Sequence, residues 1–307
     1  MTDMSVKPDA AKRRSKNIFV GSNGLRAGWC ALIFVAVVAG LIAALNVGLH
    51  AVHFHGPKSD PNIMDPIGTL FQEGLISVIL IIATVVTAVI TRRKPGQLGF
   101  SLNNAVPRFL QGIVFGVACL AGLTGLLYAA GAITFGAIVL HGAEAWRSAG
   151  LWAAAFILVG VAEELAFRGY LLQALGRGLN FRWACLIMSV LFAAAHGMNP
   201  GETPVTFALG FAAGVVLALS VWRTGTIWWA IGFHAAWDWA QSFLFGVADS
   251  GYPASGALMT TRPAGPDWLS GGIAGPEGSV LALVVMAVAA GIVMAMLRKD
   301  QDLGVKW

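Results

Sequence analysis

The sequence predicts an all-α, polytopic membrane protein that forms a bundle of about eight transmembrane helices. Of its 307 residues, 57% are hydrophobic and only 11% are charged, whereas a soluble domain contains about 25% charged residues. The mean hydropathy of +0.74 agrees with this imbalance. The apolar residues also form separate runs of the length that a helix needs to cross a bilayer, about 20 residues.

Eight apolar runs have the length and composition of transmembrane helices. In chain order, they are residues 27–49, 72–91, 107–129, 150–175, 183–197, 204–222, 226–246 and 278–297. We expect the first run to be a retained span, because it is too long for a signal-peptide core and lacks a convincing cleavage site. The fourth run is long and the fifth is short.

Two stretches between these runs allow more than one conformation. Residues 130–142 are apolar but bounded by glycines, so they can extend the third span, re-enter the membrane or lie at its surface. Residues 247–277 are rich in Gly, Pro, Ser and Ala, a composition that predicts an irregular loop.

The basic residues predict the direction of the chain across the membrane. If the N-terminus is cytoplasmic, the outer loops hold only Lys58, Arg147 and Arg262, and nearly all other Lys and Arg residues fall in cytoplasmic segments. Membrane proteins show this bias towards basic cytoplasmic loops. We therefore expect a multi-pass protein of the cell membrane with both termini in the cytoplasm.

The composition also argues against other classes of protein. The net charge of +5 is explained by the cytoplasmic loops, and no basic stripe is interleaved with aromatic residues as nucleic-acid binding would require. Cys30, Cys119 and Cys185 all lie in apolar runs. Their spacing fits neither a metal site nor a redox motif, so the sequence predicts no disulfide framework.

Ionisable side chains inside the predicted spans are the candidate functional residues. Each such group costs on the order of 3 kcal/mol to insert and is a functional candidate by default. Glu73 is set aside because it lies near the outer end of the predicted second span. The remaining candidates are Glu163, Glu164, Arg168, His196, His234 and Asp238.

The spacing of the fourth span assigns different roles to its two glutamates. Glu164 and Arg168 are four residues apart, so on a helix they share a face and can form an ion pair. Glu163 lies about 100° around the helix from Glu164, and Arg168 does not serve both carboxylates equally. The spacing therefore predicts a structural pair of Glu164 with Arg168 and leaves Glu163 for another task.

The histidines complete a possible acid–base site. His234 and Asp238 are also four residues apart, an arrangement that can orient the imidazole and determine its tautomer. His196 ends the fifth span. Each group alone is also explained by helix packing, but two histidines and two carboxylates on three helices, with one carboxylate unpaired, indicate a site if those helices touch.

Three motifs in these spans resemble those of a known family. Glu163-Glu164 followed by Arg168, Phe192 followed by His196, and His234 followed by Asp238 occur in the order and spacing of that family. Over about residues 150–242, the sequence resembles the CAAX protease and bacteriocin-processing family of intramembrane proteases, also called Abi proteins. This family includes the type II CAAX prenyl endopeptidases.

The resemblance implies hydrolysis of a peptide bond inside the membrane. By analogy with the family, Glu163 acts as the general base on a water molecule that His196 helps to hold, while His234 and Asp238 stabilise the oxyanion. Many members that process CAAX substrates carry Asn where this chain has Asp238. An aspartate donates a hydrogen bond only when protonated, so Asp238 either donates in that form or braces His234.

The resemblance leaves a role for metal open. The family has been described as metalloproteases, but this chain has no His-Glu-x-x-His motif. Glu163, His196 and His234 can supply the three protein ligands of a catalytic zinc, which would consume the expected base. We therefore expect a water activated by Glu163 without metal, with zinc as the alternative.

The expected partners are the lipid bilayer and a membrane-associated, prenylated or otherwise lipidated protein or peptide substrate, with no nucleic acid. Two other functions compete with the protease: a non-catalytic membrane interaction or immunity protein of the same fold, and a proton-coupled transporter that uses Glu163 and Asp238. Transporters often contain internal repeats, and this sequence shows none.

The predicted organisation has five parts. They are a basic cytoplasmic segment, N-terminal transmembrane helices, a catalytic core that resembles the family, an extracytoplasmic loop, and a last helix with its cytoplasmic tail, at residues 1–26, 27–149, 150–246, 247–277 and 278–307.

Overall fold

The computed structural model of the chain describes residues 18–21, 24–58 and 60–297. Most of the predicted basic N-terminal segment, residues 1–17 and 22–23, lies outside the described residues. The C-terminal tail from residue 298 onwards also lies outside them. The predicted cytoplasmic position of both termini therefore stays a prediction.

The described residues form a bundle of apolar helices, which confirms the predicted all-α membrane fold. The helices are α1 (Ala27–Ala51), α2 (Pro66–Ile90), α3 (Ala105–Ala129), α4 (Gly142–Glu164), α5 (Tyr170–Leu179), α6 (Phe181–Ala195), α7 (Pro204–Thr224), α8 (Trp228–Trp239), α9 (Asp267–Ser270) and α10 (Val280–Met296). In the described chain, five helical stretches are long and apolar enough to cross a membrane: α1, α2, α3, α7 and the continuous stretch Gly142–Leu179. Two shorter apolar helices, α6 and α10, accompany them.

Short strands occur before α1 and in the two stretches that the sequence left open. Strands β1 (Val20–Gly21) and β2 (Gly24–Leu25) form a small hairpin before α1. Strand β3 (Ile133–Ile138) pairs antiparallel with β4 (Met259–Pro263). Residues 130–142 therefore do not extend the third span. The loop predicted to be irregular contains β4 and α9, because its backbone pairs with β3 and with itself.

The predicted long fourth span consists of two helices joined by a turn of π-helix, Leu165–Gly169. After α5, the chain reverses at Asn180, which has a φ of 87°. The side chain of Asn180 accepts a hydrogen bond from the backbone N–H of Trp183 at 3.3 Å and caps α6. Helix α6 is 15 residues long and ends at Ala195, in agreement with the short fifth span.

Glycines allow α3 and α8 to pack with their backbones close together. A methyl group at Gly116 would overlap the carbonyl oxygen of Phe233, and one at Gly112 would overlap that of Trp229. On the α8 side, a methyl group at Gly232 would overlap the carbonyl oxygen of Phe109. Small residues four apart permit such contacts between membrane helices, where dispersion and close packing drive association.

Glycines also allow close packing of α4 against α8 and of α7 against α6. The Cβ position of Gly160 on α4 lies 3.0 Å from the carbonyl oxygen of Ile231 on α8. That of Gly214 on α7 lies 2.9 Å from Cα of Ser189 on α6. On the far side of α4, the hydroxyl of Ser77 on α2 donates to the carbonyl oxygen of Leu158 at 3.2 Å.

These contacts predict that a single methyl group between α3 and α8 destabilises the protein. We expect Gly116→Ala to lower the free energy of unfolding by about 1–3 kcal/mol, the usual range for overpacking. Gly122→Ala on the same helix is the matched control, because its added Cβ has no heavy atom within 4 Å. Thermal melting of the detergent-solubilised protein measures both, and equal melting temperatures for the two variants would contradict the packing argument.

Candidate active site

The structure brings the candidate residues of α4, α6 and α8 together. The Nε2 atom of His196 lies 3.7 Å from Oε2 of Glu163, and Nε2 of His234 lies 3.8 Å from the same oxygen. The Oδ2 atom of Asp238 lies 3.7 Å from Nε2 of His234. The four predicted catalytic side chains therefore share one small space between three helices.

Glu164 is buried next to this space and contacts both Arg168 and His234. Its Oε1 atom accepts a hydrogen bond from Nη1 of Arg168 at 3.0 Å, in the ion pair that the sequence predicted. The same oxygen lies 3.0 Å from Nδ1 of His234. The side chains of Glu164 and Arg168 are 0% and 1% exposed, so each charge is compensated where water does not reach it.

The hydrogen bonds determine which face each imidazole presents. A carboxylate oxygen only accepts, so Nδ1–H of His234 donates to Glu164. The Nδ1 atom of His196 lies 2.9 Å from the carbonyl oxygen of Phe192, which also only accepts. Both Nδ1 atoms therefore carry a hydrogen, and both Nε2 atoms face Glu163.

The orienting partner of His234 differs from the one that the spacing suggested. Asp238 shares a helical face with His234, but its 3.7 Å distance is too long for a hydrogen bond. Glu164, on another helix, holds the imidazole instead. Sequence spacing identifies neighbours on one helix only, and this contact requires α4 to pack against α8.

Phe192 packs among the charged groups. Its ring lies 4.1 Å from the guanidinium carbon of Arg168, a cation–π contact. The ring centroids of Phe192 and His196 are 4.9 Å apart, and those of Phe192 and His234 are 5.9 Å apart. The Phe-x-x-x-His spacing thus places one aromatic ring against both imidazoles and the arginine.

Glu163 and Glu164 differ in exposure as they differ in contacts. The Glu163 side chain is 26% exposed and that of His196 is 28% exposed, whereas Glu164 is fully buried. Within the described part of the chain, Oε2 of Glu163 has no hydrogen-bond partner. The side chain of Glu163 is thus partly exposed, while its Oε2 atom is buried without a partner between the two imidazoles, where a bound water molecule would satisfy it.

Glu73 is a further carboxylate near the site that the sequence analysis set aside. It interacts electrostatically with Glu163 and His234. The helix that carries it begins at Pro66, six residues before the predicted start of the second span. Glu73 consequently lies two turns inside α2 and not at its end, a position that the Pro at the first turn of the helix could have indicated.

Zinc stays the alternative to the expected metal-free site, with Glu163, His196 and His234 as the residues that would hold it. In the described ranges, no three His, Cys, Asp or Glu side chains are arranged to hold a metal ion. The geometric requirement is strict, since zinc binds histidine nitrogen at about 2.0–2.1 Å in a tetrahedral site. No step of the mechanism proposed below passes through a metal.

Comparison with known proteins agrees with the geometry. Residues 145–240, about a third of the chain, match the family described as "Type II CAAX prenyl endopeptidase Rce1-like". This match confirms the resemblance that the three motifs indicated. All six candidate residues lie inside the matched segment.

The chain is also similar to a curated bacterial protein, "Uncharacterized protein YyaK" of Bacillus subtilis (strain 168). The two are 35% identical over 131 residues, which are 38% of this chain. The matched stretch spans 42% of the length of that relative. No solved structure matches the chain significantly.

The contacts predict that two substitutions in the fourth span differ in their effect on the yield of folded protein. Arg168→Ala leaves the buried carboxylate of Glu164 without its cation, and breaking a buried ion pair in this way costs about 3–5 kcal/mol. We therefore expect a large loss of folded yield. Glu163→Gln preserves the shape of a partly exposed side chain, so yield and melting temperature should stay near those of the wild type.

Size-exclusion chromatography and thermal melting in detergent compare these two variants with the wild type. A stable Arg168→Ala protein together with a misfolded Glu163→Gln protein would reverse the roles assigned to the two glutamates.

Proposed function

We propose that this protein is an intramembrane endopeptidase that hydrolyses a peptide bond of a membrane-associated protein or peptide. The observation that supports this most strongly is the position of Oε2 of Glu163. It faces Nε2 of His196 and Nε2 of His234 at 3.7 and 3.8 Å and has no hydrogen-bond partner in the described chain. Both distances exceed a hydrogen bond, so the three groups can share a reacting molecule.

In the proposed reaction, Glu163 is the general base. A water molecule donates one hydrogen to Oε2 of Glu163 while its oxygen bonds to the carbonyl carbon of the scissile peptide. The π electrons of the carbonyl move to its oxygen, and Glu163 takes the proton. Glu163 then returns this proton to the peptide nitrogen as the C–N bond breaks, which yields a carboxyl and an amine product.

The histidines position the water and stabilise the developing charge. Nε2 of His196 accepts the second hydrogen of the water, because its Nδ1–H is already committed to the carbonyl oxygen of Phe192. His234 in its doubly protonated form donates from Nε2 to the oxyanion, and Glu164 keeps this imidazole in place. Donors aimed at an oxyanion are among the largest contributions to such catalysis.

Asp238 has a supporting part in this scheme. Its Oδ2 atom lies 3.7 Å from Nε2 of His234, the nitrogen that donates to the oxyanion in this scheme. In its protonated form Asp238 donates a second hydrogen bond to the oxyanion, as Asn does in many CAAX-processing members of the family. In its ionised form it compensates the charge of His234.

The name of the matched family indicates the substrate class. We propose that the substrate is a prenylated or otherwise lipidated protein or peptide, which is cleaved within the cell membrane. We also propose that both termini of this chain lie in the cytoplasm. A bacteriocin leader or a membrane-anchored signalling protein are further members of this class of membrane-associated substrates.

A comparison of membrane proteins from cells that produce the wild type or Glu163→Gln tests the activity. We expect one or more protein termini to appear only with the wild type, since Gln at this position cannot accept the proton of water. Glu144→Gln is the matched control, because Glu144 is an exposed carboxylate at the start of the same helix. Identical sets of termini for all three proteins would refute the proposed protease activity and favour an interaction or immunity protein.

Chelation tests the metal-free form of the mechanism. We expect the purified protein to keep its cleavage of a farnesylated fluorogenic peptide after exhaustive treatment with a chelator. Elemental analysis should find less than stoichiometric zinc. Loss of activity that added zinc restores, with zinc content that falls in both His196→Ala and His234→Ala, would instead establish a zinc enzyme.

A further inference from the structure

The segment between α8 and α10, residues 245–279, packs against the site although it lies outside the family-matched segment. Its backbone is held by its own hydrogen bonds, such as the pair between Asp249 and Tyr252, at 2.9 Å in each direction. A methyl group at Gly275 would overlap the carbonyl oxygen of Ala248. Such close backbone contacts indicate a segment with one defined conformation.

Glu277 connects this segment to α8. Its Oε1 atom accepts a hydrogen bond from Nε1–H of Trp237 at 3.2 Å. Its Oε2 atom accepts hydrogen bonds from the backbone N–H and from the hydroxyl of Ser250, both at 3.0 Å. Ser250 has a φ of 47°, in the left-handed region that favours glycine, and Glu277 binds both of its donors.

The position of Trp237 gives these bonds a consequence for the site. Trp237 directly precedes Asp238, and its ring stacks on that of Phe233 at 6.1 Å. The Cβ position of Gly116 on α3 lies 3.0 Å from the backbone nitrogen of Trp237. His234, by contrast, faces α4. A bond that holds Trp237 therefore determines how α8 is rotated between α3 and α4.

Glu277 also connects α8 to the loop that follows His196. Through Ser250 it holds the neighbouring Gly251, whose N–H donates to the carbonyl oxygen of Ala274 at 3.3 Å. A methyl group at Gly251 would overlap the carbonyl oxygen of Pro200, four residues after His196. Glu277 thus binds α8 directly through Trp237 and reaches the loop after His196 through Ser250 and Gly251.

We propose that Glu277 is a positioning residue that holds the outer half of α8 and the loop after His196 in register, so that His234, Asp238 and His196 face Glu163. The part of this inference that concerns catalysis rests on the proposed function. Its structural part, the position of α8, does not.

The charges around Glu277 are consistent with this role. Glu277 interacts electrostatically with Asp238 and Asp249. Burial, together with the negative charges of Asp238 and Glu277, raises the pKa of Asp249 well above its usual range, although the hydroxyl of Ser242 donates to it at 3.0 Å and His234 lowers it. A protonated Asp249 carries no charge that would repel the carboxylate of Glu277, whose oxygens accept the hydrogen bonds of Trp237 and Ser250.

Hydrogen–deuterium exchange of the full-length protein in detergent tests the structural part without any substrate. In Glu277→Ala, we expect the amides of α8 and of residues 240–244 to exchange at least about tenfold faster, the effect of losing bonds to a charged acceptor. Exchange in α2 should not change. Asp267→Ala is the matched control, because this carboxylate of the same segment lies beside Gly272 instead of α8.

Two further variants test the positioning role of Glu277 if Glu277→Ala does not fold. Trp237→Phe removes the N–H donor and keeps an aromatic ring beside Phe233, so it should accelerate exchange in α8 as Glu277→Ala does. Glu277→Gln keeps an acceptor for Trp237 and should restore most of the protection. Unchanged exchange in a folded Glu277→Ala protein, or in Trp237→Phe when Glu277→Ala does not fold, would overturn the positioning role.

Cleavage of a farnesylated fluorogenic peptide tests the catalytic part. We expect Trp237→Phe and Glu277→Ala to lower kcat about tenfold or more with KM within about twofold, because α8 acts on the scissile carbonyl and not on the rest of the substrate. A change in KM alone would contradict positioning. A wild-type protein that cleaves nothing would refute the proposed function, and the exchange experiment would still decide the position of α8.

Discussion

One carboxylate oxygen, Oε1 of Glu164, connects the parts of the site. It lies 3.0 Å from Nη1 of Arg168 and 3.0 Å from Nδ1 of His234, in a region where an uncompensated charge is costly. Because His234 is held at Nδ1, its Nε2 atom faces Glu163. The two adjacent glutamates thereby separate into a buried group that organises the site and a partly exposed group that can react.

This contact depends on how closely the helices approach. Glu164 and His234 are on α4 and α8, and Gly160 allows these helices to meet at the carbonyl oxygen of Ile231. On the opposite side of α8, Gly112 and Gly116 allow equally close packing with α3. Both site helices also change to π-helical winding just after their site residues, at Leu165–Gly169 and Ala240–Leu244, as is frequent at functional sites.

The family-matched segment contains the ionisable groups of the site but not all of the residues that surround them. The matched segment, residues 145–240, contains the ionisable groups that can carry the chemistry. Two features that surround them come from outside it: Glu73 on α2, which interacts electrostatically with Glu163, and residues 245–279, whose Glu277 binds Trp237. The reacting groups and their surroundings therefore belong to different parts of the chain.

The sequence by itself determined the membrane class, the approximate spans and the six ionisable residues, because hydropathy and the cost of intramembrane charge are local properties. It also predicted the contact between Glu164 and Arg168, since residues four apart meet on one helix. The start of α2 at Pro66 and the pairing of β3 with β4 did not follow from it. The bond between Glu164 and His234 and the contacts of Glu277 were decided only by the tertiary structure, because they join residues 70 and 40 positions apart whose distance depends on helix packing.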